Sequence, residues 1–310
     1  MKRSIGASVV GFVLLSLCLI RPTLAEFKPS EITKVVMLGT GTPFADPARS
    51  GPSTAIVVND MAYIVDFGPG VIRRASAMSP RYGGVINGLQ VNNITRAFLT
   101  HLHSDHSTGY PDLIFTPWTM DRNEPLEVYG PEGILEMTQN IIEAYGEDIR
   151  YRVYGLEPTN NQGWRVNAHV VKEGMVYQDD NVKVEAFRVK HGNWPNAFGY
   201  RFTTPDRVIV ISGDAAPDKN IERYSRDADI LVHEVYAVEG LNKRTAFWQR
   251  YHSNNHTSAH EVGELAARVK PGLLVLSHIL FFGSSEAQIL SEVKEKYKGD
   301  VVLANDLDVF

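Results

Sequence analysis

The stretch AFLTHLHSDHSTG, residues 97–109, places three histidines and one aspartate within six positions, directly after a strand-like run. Imidazoles and a carboxylate this close together are costly to desolvate unless something binds them. On an extended segment, or on the loop after a strand, side chains at i and i+2 point the same way. His101 and His103 can therefore chelate one ion. Asp105 and His106, one step further into the loop, can turn toward a second. This donor set suits zinc, with manganese or iron as alternatives. Two ions need more ligands than one loop supplies, so any fold open to this chain must bring other segments to the same spot.

Three further ligand-type residues stand at the ends of apolar runs. His191 closes VKVEAFRVKH, Asp214 closes VIVISGD and His278 closes LLVLSH. A strand end is a place where a scaffold can hold a side chain rigidly. The inventory then balances: His101, His103 and His191 for one metal, Asp105, His106 and His278 for the other, with Asp214 bridging. Two cations about 3.5–4 Å apart activate a shared water and clamp the attacking and leaving oxygens of a displacement.

The rest of the chain reads as mixed α and β. EITKVVMLGTGTP is a strand running into a glycine turn, and STAIVVNDMAYIVDFGPG is a hairpin turning at Asn59-Asp60. VIRRASAM and GPEGILEMTQNIIEAYG read as helices. In the second half, VKVEAFRVKH, AFGYRFTTPDRVIVISGD, ADILVHEVY, LLVLSHI and DVVLANDLDVF read as strands. SAHEVGELAARVKPG and SSEAQILSEVKEKY read as helices, the first with Ser258 and Glu261 in capping-box spacing. Strands cluster in both halves with helices between or after them. That order suggests two sheets packed face to face with helices outside, an αββα sandwich, but by itself it supports only a mixed α and β chain with one domain over residues 26–310.

Residues 1–25 stand apart. Lys2 and Arg3 precede an apolar run from about Ala7 to Ile20, followed by PTLA, which reads as a secretory signal cleaved after Ala25. The run is shorter than the ~20 apolar residues that span a bilayer. Cleavage would remove Lys2, Arg3, Arg21 and the single cysteine, shifting the formal charge from −5 to −8 and leaving a periplasmic or secreted chain with no thiol. Such a chain cannot form disulfides, and its metal sites must use histidine and carboxylate. The acidic balance argues against a broad surface for phosphate backbones.

Taken in order, HLHSDH, KHG, SGD and LSH resemble the motifs of the metallo-β-lactamase superfamily, and the likeness runs from about Val35 to Phe310. It implies the αββα fold and a hydrolase with zinc as cofactor. It also implies that Asp66, in VDFGPG, orients one of the cluster histidines. Position 103 is His, where the diiron flavoprotein branch usually has Glu. DILVHEVY and NNHTSAHEVGELA resemble the ribonuclease Z branch and its arylsulfatase-like and phosphodiesterase relatives. The likeness makes His256 a proton donor to the leaving group and Glu234 its orienting partner. Asp105, His256 and Glu234 are then the expected catalytic groups.

One departure separates the chain from ribonuclease Z. The long glycine- and proline-rich arm that grips tRNA in that branch has no counterpart in the 22 residues between His191 and Asp214, which read as one hairpin. The expectation is therefore an exported hydrolase of a phosphodiester or an aryl sulfate. A small-molecule ester is the expected substrate, nucleic acid is not expected as a partner, no membrane is engaged after cleavage, and a homodimer is admitted. Hydrolysis of a β-lactam or lactone is the alternative, ahead of tRNA 3′ processing and of a catalytically silent metal-binding module. His169, His233, His252 and His260 lack a ligand context. Trp118, Trp164, Trp194, Phe247 and Trp248 are expected in or near loops around the metal face, where some could wall an apolar pocket.

Overall fold

The computed structural model describes residue 30 and residues 32–157 and 159–310. The leader reading for residues 1–25 lies outside the described residues. Six strands form the first sheet in chain order: β1 (Thr33–Gly39), β2 (Ser53–Val58), β3 (Met61–Val65), β4 (Arg96–Phe98), β5 (Leu126–Gly130) and β6 (Val166–Val170). The second sheet holds β7 (Gly174–Gln178), β8 (Lys183–Arg188), β9 (Phe198–Thr203), β10 (Val208–Ile211), β11 (Ile230–Tyr236), β12 (Leu273–Leu280) and β13 (Val301–Leu303), ordered from β13 back to β7. Helices α1 (Val71–Met78), α2 (Ser104–Ser107), α3 (Tyr110–Thr119), α4 (Ile134–Ala144) and α5 (Gly146–Tyr154) lie within the first half. Helices α6 (Lys219–Tyr224), α7 (Val238–Asn242), α8 (Ala246–Asn255), α9 (Ala259–Val269) and α10 (Glu286–Lys296) lie within the second. None of the described helices is long and apolar enough to cross a membrane.

The strands read as unbroken apolar runs because both faces of each sheet are covered. Along β1, Val35 and Met37 face the second sheet in a core shared with Phe98, Tyr200, Phe202 and Ile230. Val36 and Leu38 face the other way, into a core with residues of α1, α3 and α4. On the far side, Leu231 and Leu274 pack against Val262 and Ala266 of α9 and Ile289 and Val293 of α10. The result is the αββα sandwich that the order of elements suggested and the family resemblance implied.

Local chemistry sets several joints. The β2–β3 turn is Asn59-Asp60, both at positive φ, with Val58 paired to Met61 as a two-residue hairpin requires. Helix α9 opens on a complete capping box, Ser258 accepting from Glu261 N while Glu261 accepts at the Ser258 backbone. The segment between His191 and Asp214 is the antiparallel β9–β10 hairpin, as read.

Three features differ from the sequence reading. Strands β5, β6 and β7 escaped it because each is only five residues long and broken by polar residues or glycine, and β6 and β7 are half-exposed at the sheet ends. Trp118 is not near a loop of the metal face; it is fully buried in α3. His278 does not end its strand, since β12 runs on to Leu280.

Candidate metal centre

The loops that follow β4, β8 and β10 meet a bulge in β12 at one edge of the sandwich. In the pairing of β11 with β12, Glu234 faces Ser277 and Val235 faces Ile279, so His278 is the extra residue, at φ 44°. A bulge of this kind turns one side chain out of the pleat, and here it turns an imidazole toward Asp105 and Asp214. Asp105 and His106 sit on α2, a single helical turn rather than a loop. Asp214 follows Gly213, whose φ is 61° and whose missing Cβ would lie 2.8 Å from Phe198 O. Gly192 plays the same part after His191: at φ 53°, a Cβ there would lie 2.0 Å from Asn255 Oδ1.

The seven residues named from the sequence come together. His101, His103, His191 and Asp214 can each offer a ligand atom within 4.8 Å of the others, and so can Asp105, His106 and His278. Asp214 joins the two groups: Oδ1 lies 3.3 Å from His106 Nε2, and Oδ2 lies 3.4 Å from His278 Nε2. His278 Nε2 is also 3.2 Å from Asp105 Oδ2.

Hydrogen bonds on the far side of the rings fix their tautomers. His106 Nδ1–H donates to Asp66 Oδ2 at 2.8 Å. His191 Nδ1–H donates to Asn255 O at 2.7 Å. Thr100 Oγ1 gives its proton to Asp66 Oδ2, so it accepts from His101 Nδ1–H at 3.0 Å. We assign the Nε2 lone pairs of His101, His191 and His106 to the interior on this basis. His101 Nε2 and His191 Nε2 then lie 2.9 and 3.2 Å from His103 Nδ1. His103 can donate Nδ1–H to one of these nitrogens, or turn its own lone pair with theirs toward a shared cation. Nitrogens at about 2.0–2.1 Å from a tetrahedral zinc are themselves about 3.3 Å apart, so the donor set fits such an ion. His106 Nε2 and Asp214 Oδ1, both buried, have no hydrogen-bond partner.

Charge sorts the two groups. Burial, with neighbouring imidazoles adding to it, pulls His101 well below the ordinary histidine value, and burial also lowers His103 and His191. Burial opposes protonation of His106 and His278 too, but Asp214 overcomes it and raises both rings. Asp214 is held well below the ordinary carboxylate range by His278 and His106 against the cost of its burial.

His256 is the C-terminal cap of α8, two residues ahead of the α9 cap. Its Nδ1–H donates to Glu234 Oε1 at 3.2 Å, and Oε1 also accepts from Thr257 N and Ala215 N. Burial holds the His256 ring down to about 4 and pushes Glu234 well above its ordinary range, with Asp214 adding to the latter. His256, Asp214 and His278 can bring ligand atoms within 4.8 Å of one another, so the ring stands directly beside the cluster.

The remaining histidines have other partners. His169 pairs with Glu127 and stacks on Tyr129, His260 pairs with Glu295, and His233 Nδ1–H donates to Glu234 O. Of the aromatic set, Trp194 lies with its ring 4.3 Å from that of His103. Phe247 lines the adjoining groove of about 790 Å³, together with Trp194 and both His103 and His191. Tyr251 and Arg250, also in that groove, were missed; they lie on α8, whose apolar residues face no core and so show no core-facing stripe.

A sandwich with such a ligand cluster at its edge defines the class of metal-dependent hydrolases with two facing sheets. The chain belongs to the metallo-β-lactamase superfamily: residues 62–279 match the family described as "Beta-lactamase superfamily domain". It is 31% identical over 278 residues to "Ribonuclease Z" of Mycobacterium sp. (strain KMS), covering 88% of this chain and 94% of that protein. A metallo-beta-lactamase fold protein of Bacillus subtilis superposes with a TM-score of 0.68 at 18% identity, over 90% of this chain and 99% of that one. The short form of human tRNase Z gives 0.65 at 22%, over 89% and 98%.

These relatives correct one expectation. Nucleic acid was not expected as a partner, and a small-molecule ester was; a relative of this similarity named ribonuclease Z overturns that. The physical fault lies in using a chain-wide charge. Phosphate is bound locally, and no carboxylate lines the groove beside His103 and His191, whereas Lys190 and Arg250 do.

Proposed function

We propose that this protein is a dinuclear zinc phosphodiesterase that hydrolyses RNA in the manner its name implies for ribonuclease Z. The observation that carries the reading is the His256–Glu234 pair held beside the ligand cluster. His101, His103 and His191 would hold one ion, Asp105, His106 and His278 the other, and Asp214 both. Bound there, the ions would supply an activated water and neutralise charge on the phosphate oxygens.

The protein's own groups do the rest. Asp66 keeps His106 in its binding tautomer directly and His101 through Thr100. Glu234 holds the His256 Nδ1–H and leaves Nε2 for the substrate. Near neutral pH the buried ring carries one proton. An anionic diester entering beside it raises its affinity for a second, which Nε2 then gives to the departing ribose oxygen. Such a donor matters because an alkoxide is a poor leaving group.

A 3′-extended tRNA precursor, bis-p-nitrophenyl phosphate, p-nitrophenyl sulfate, nitrocefin and a lactone, offered to the purified protein, test the reading. Cleavage of the precursor and the diester is expected, without turnover of the sulfate, lactam or lactone. Turnover confined to nitrocefin or the lactone would overturn it. His256→Ala should keep its metal and slow RNA cleavage by ~10²–10⁴-fold, while slowing release of p-nitrophenolate much less. Equal losses on both would remove His256 from proton donation. Export is a separate proposal: an N-terminus at Glu26 in protein taken from its host would support it, and an intact Met1 would overturn it.

A further inference from the structure

Helix α8, with sequence AFWQRYHSNN, buries none of its residues fully. Its two faces differ. His252 is half-buried, with its ring 4.6 Å from Phe282 and 5.6 Å from His256, and Trp248, 47% exposed, stacks on it. Phe247, Arg250, Tyr251 and Asn254, at i, i+3, i+4 and i+7, form a separate stripe that lines the groove. A stripe with that spacing ordinarily packs on a core. Here Phe247 is 62% exposed and Tyr251 42% exposed.

The groove continues into the metal cluster. His103 and His191 form its inner wall, with Trp194 edge-on to His103. The C-terminal turn of α8 is tied to that wall: Asn255 O accepts from His191 Nδ1–H, and Asn254 O accepts from Gly192 N. Lys190 also lines the groove. Neither Lys190 nor Arg250 is paired with a carboxylate among the described residues. Flat rings spaced by one helical turn, flanked by unpaired cations and amides, match the chemistry of a strand with exposed bases and a charged backbone. Every base offers a π-face for stacking, and each phosphate favours a nearby cation.

We propose that the α8 face, together with Trp194 and Lys190 of the same groove, is the platform that holds the unpaired RNA strand next to the scissile phosphate. Phe247 and Tyr251 stack on bases, and Arg250 and Lys190 meet the backbone. This rests on the ribonuclease reading and names the part of the protein that makes RNA a better substrate than a small diester. A double helix keeps its bases stacked on one another, so the platform selects unpaired RNA over duplex.

The test compares the protein with Phe247→Ala/Tyr251→Ala, Tyr251→Phe, Lys190→Ala and Arg250→Ala. Binding of a labelled unpaired RNA oligonucleotide and of its duplex is measured against salt, and kcat and KM are measured on the tRNA precursor and on bis-p-nitrophenyl phosphate. The double variant, which removes two stacking rings, should bind unpaired RNA roughly 30-fold to 10⁴-fold more weakly. Its kcat/KM on RNA should fall relative to that on the small diester, through KM. Tyr251→Phe should retain binding. Lys190→Ala and Arg250→Ala should each lower the salt slope by roughly 0.7, and these two decide the matter if the double variant does not fold. A protein that cleaves RNA with all variants unchanged overturns the platform and leaves the ribonuclease reading standing. A protein that turns over the small diester yet neither binds nor cleaves RNA overturns both. A dimer broken by the double variant, with RNA binding unchanged, assigns the face to a second copy and overturns the platform.

Discussion

The two ligand groups either side of Asp214 start from the same six residues and end with opposite chemistry. His101, His103 and His191 are all imidazole, and burial drives all three away from protonation. Asp105, His106 and His278 include a carboxylate, and Asp214 raises both imidazoles. The first group is a set of converging ring nitrogens whose spacing fits a shared cation. The second satisfies itself in part, with His278 Nε2 lying 3.2 Å from Asp105 and 3.4 Å from Asp214. Access does not separate them: each has one half-buried member, His103 in the α8 groove and Asp105, while His101, His191, His106 and His278 are 0%, 1%, 1% and 5% exposed. One strand end carries both groups, and what each becomes depends on which distant segment meets it.

The largest effect should come from the residue the groups share. Asp214→Ala should lower metal content on both sides and cut turnover by about 10³-fold or more, since several kcal/mol of charge stabilisation go with the ions. Elemental analysis and diester turnover check it. Full metal with normal turnover would dissolve the pairing altogether.

Next come substitutions confined to one side. His191→Ala and His278→Ala should each reduce bound metal from about two ions per chain to about one, the expectation for two sites linked by a single bridge. Loss of both ions in either variant would show that the groups bind as one unit and break the comparison. Asp66→Asn should cost about 10- to 100-fold in metal affinity or activity. It should weaken both sides, because Asp66 reaches His106 directly and His101 through Thr100. Competition with a chelator would reveal a loss limited to one ion, and that outcome would leave the Thr100 link idle.

The smallest effect is local. Ser258→Ala removes half of the α9 capping box and should cost about 1 kcal/mol, seen as a fall of a few degrees in melting temperature. Metal content should stay unchanged, because the cap supports the joint that carries His256 and touches neither ligand group.

The sequence by itself determined the ligand types, because HLHSDH, KHG, SGD and LSH each state their chemistry within a few residues. It determined the layers as well: apolar runs as long as those of β1 and β12 can only lie between two covered faces. The turn at Asn59-Asp60 and the capping box at Ser258 were legible for the same reason, since each is complete within a few residues. The short, half-exposed edge strands β6 and β7 were not, because it is pairing with a neighbouring strand that defines them.

Only the tertiary structure decided how the ligands are aimed. His278 reads as the last residue of a strand, but its direction comes from a bulge that exists only in the pairing of β12 with β11. His191 keeps its tautomer through a carbonyl 64 positions along the chain. The aromatic residues of α8 read like any others until the fold turns Phe247 and Tyr251 outward beside His103. The overall acidity likewise gave no hint that the groove carries cations and no carboxylate. A donor's identity is written at its own position, whereas direction, tautomer and neighbouring charge are set by atoms that only folding brings within a few ångströms.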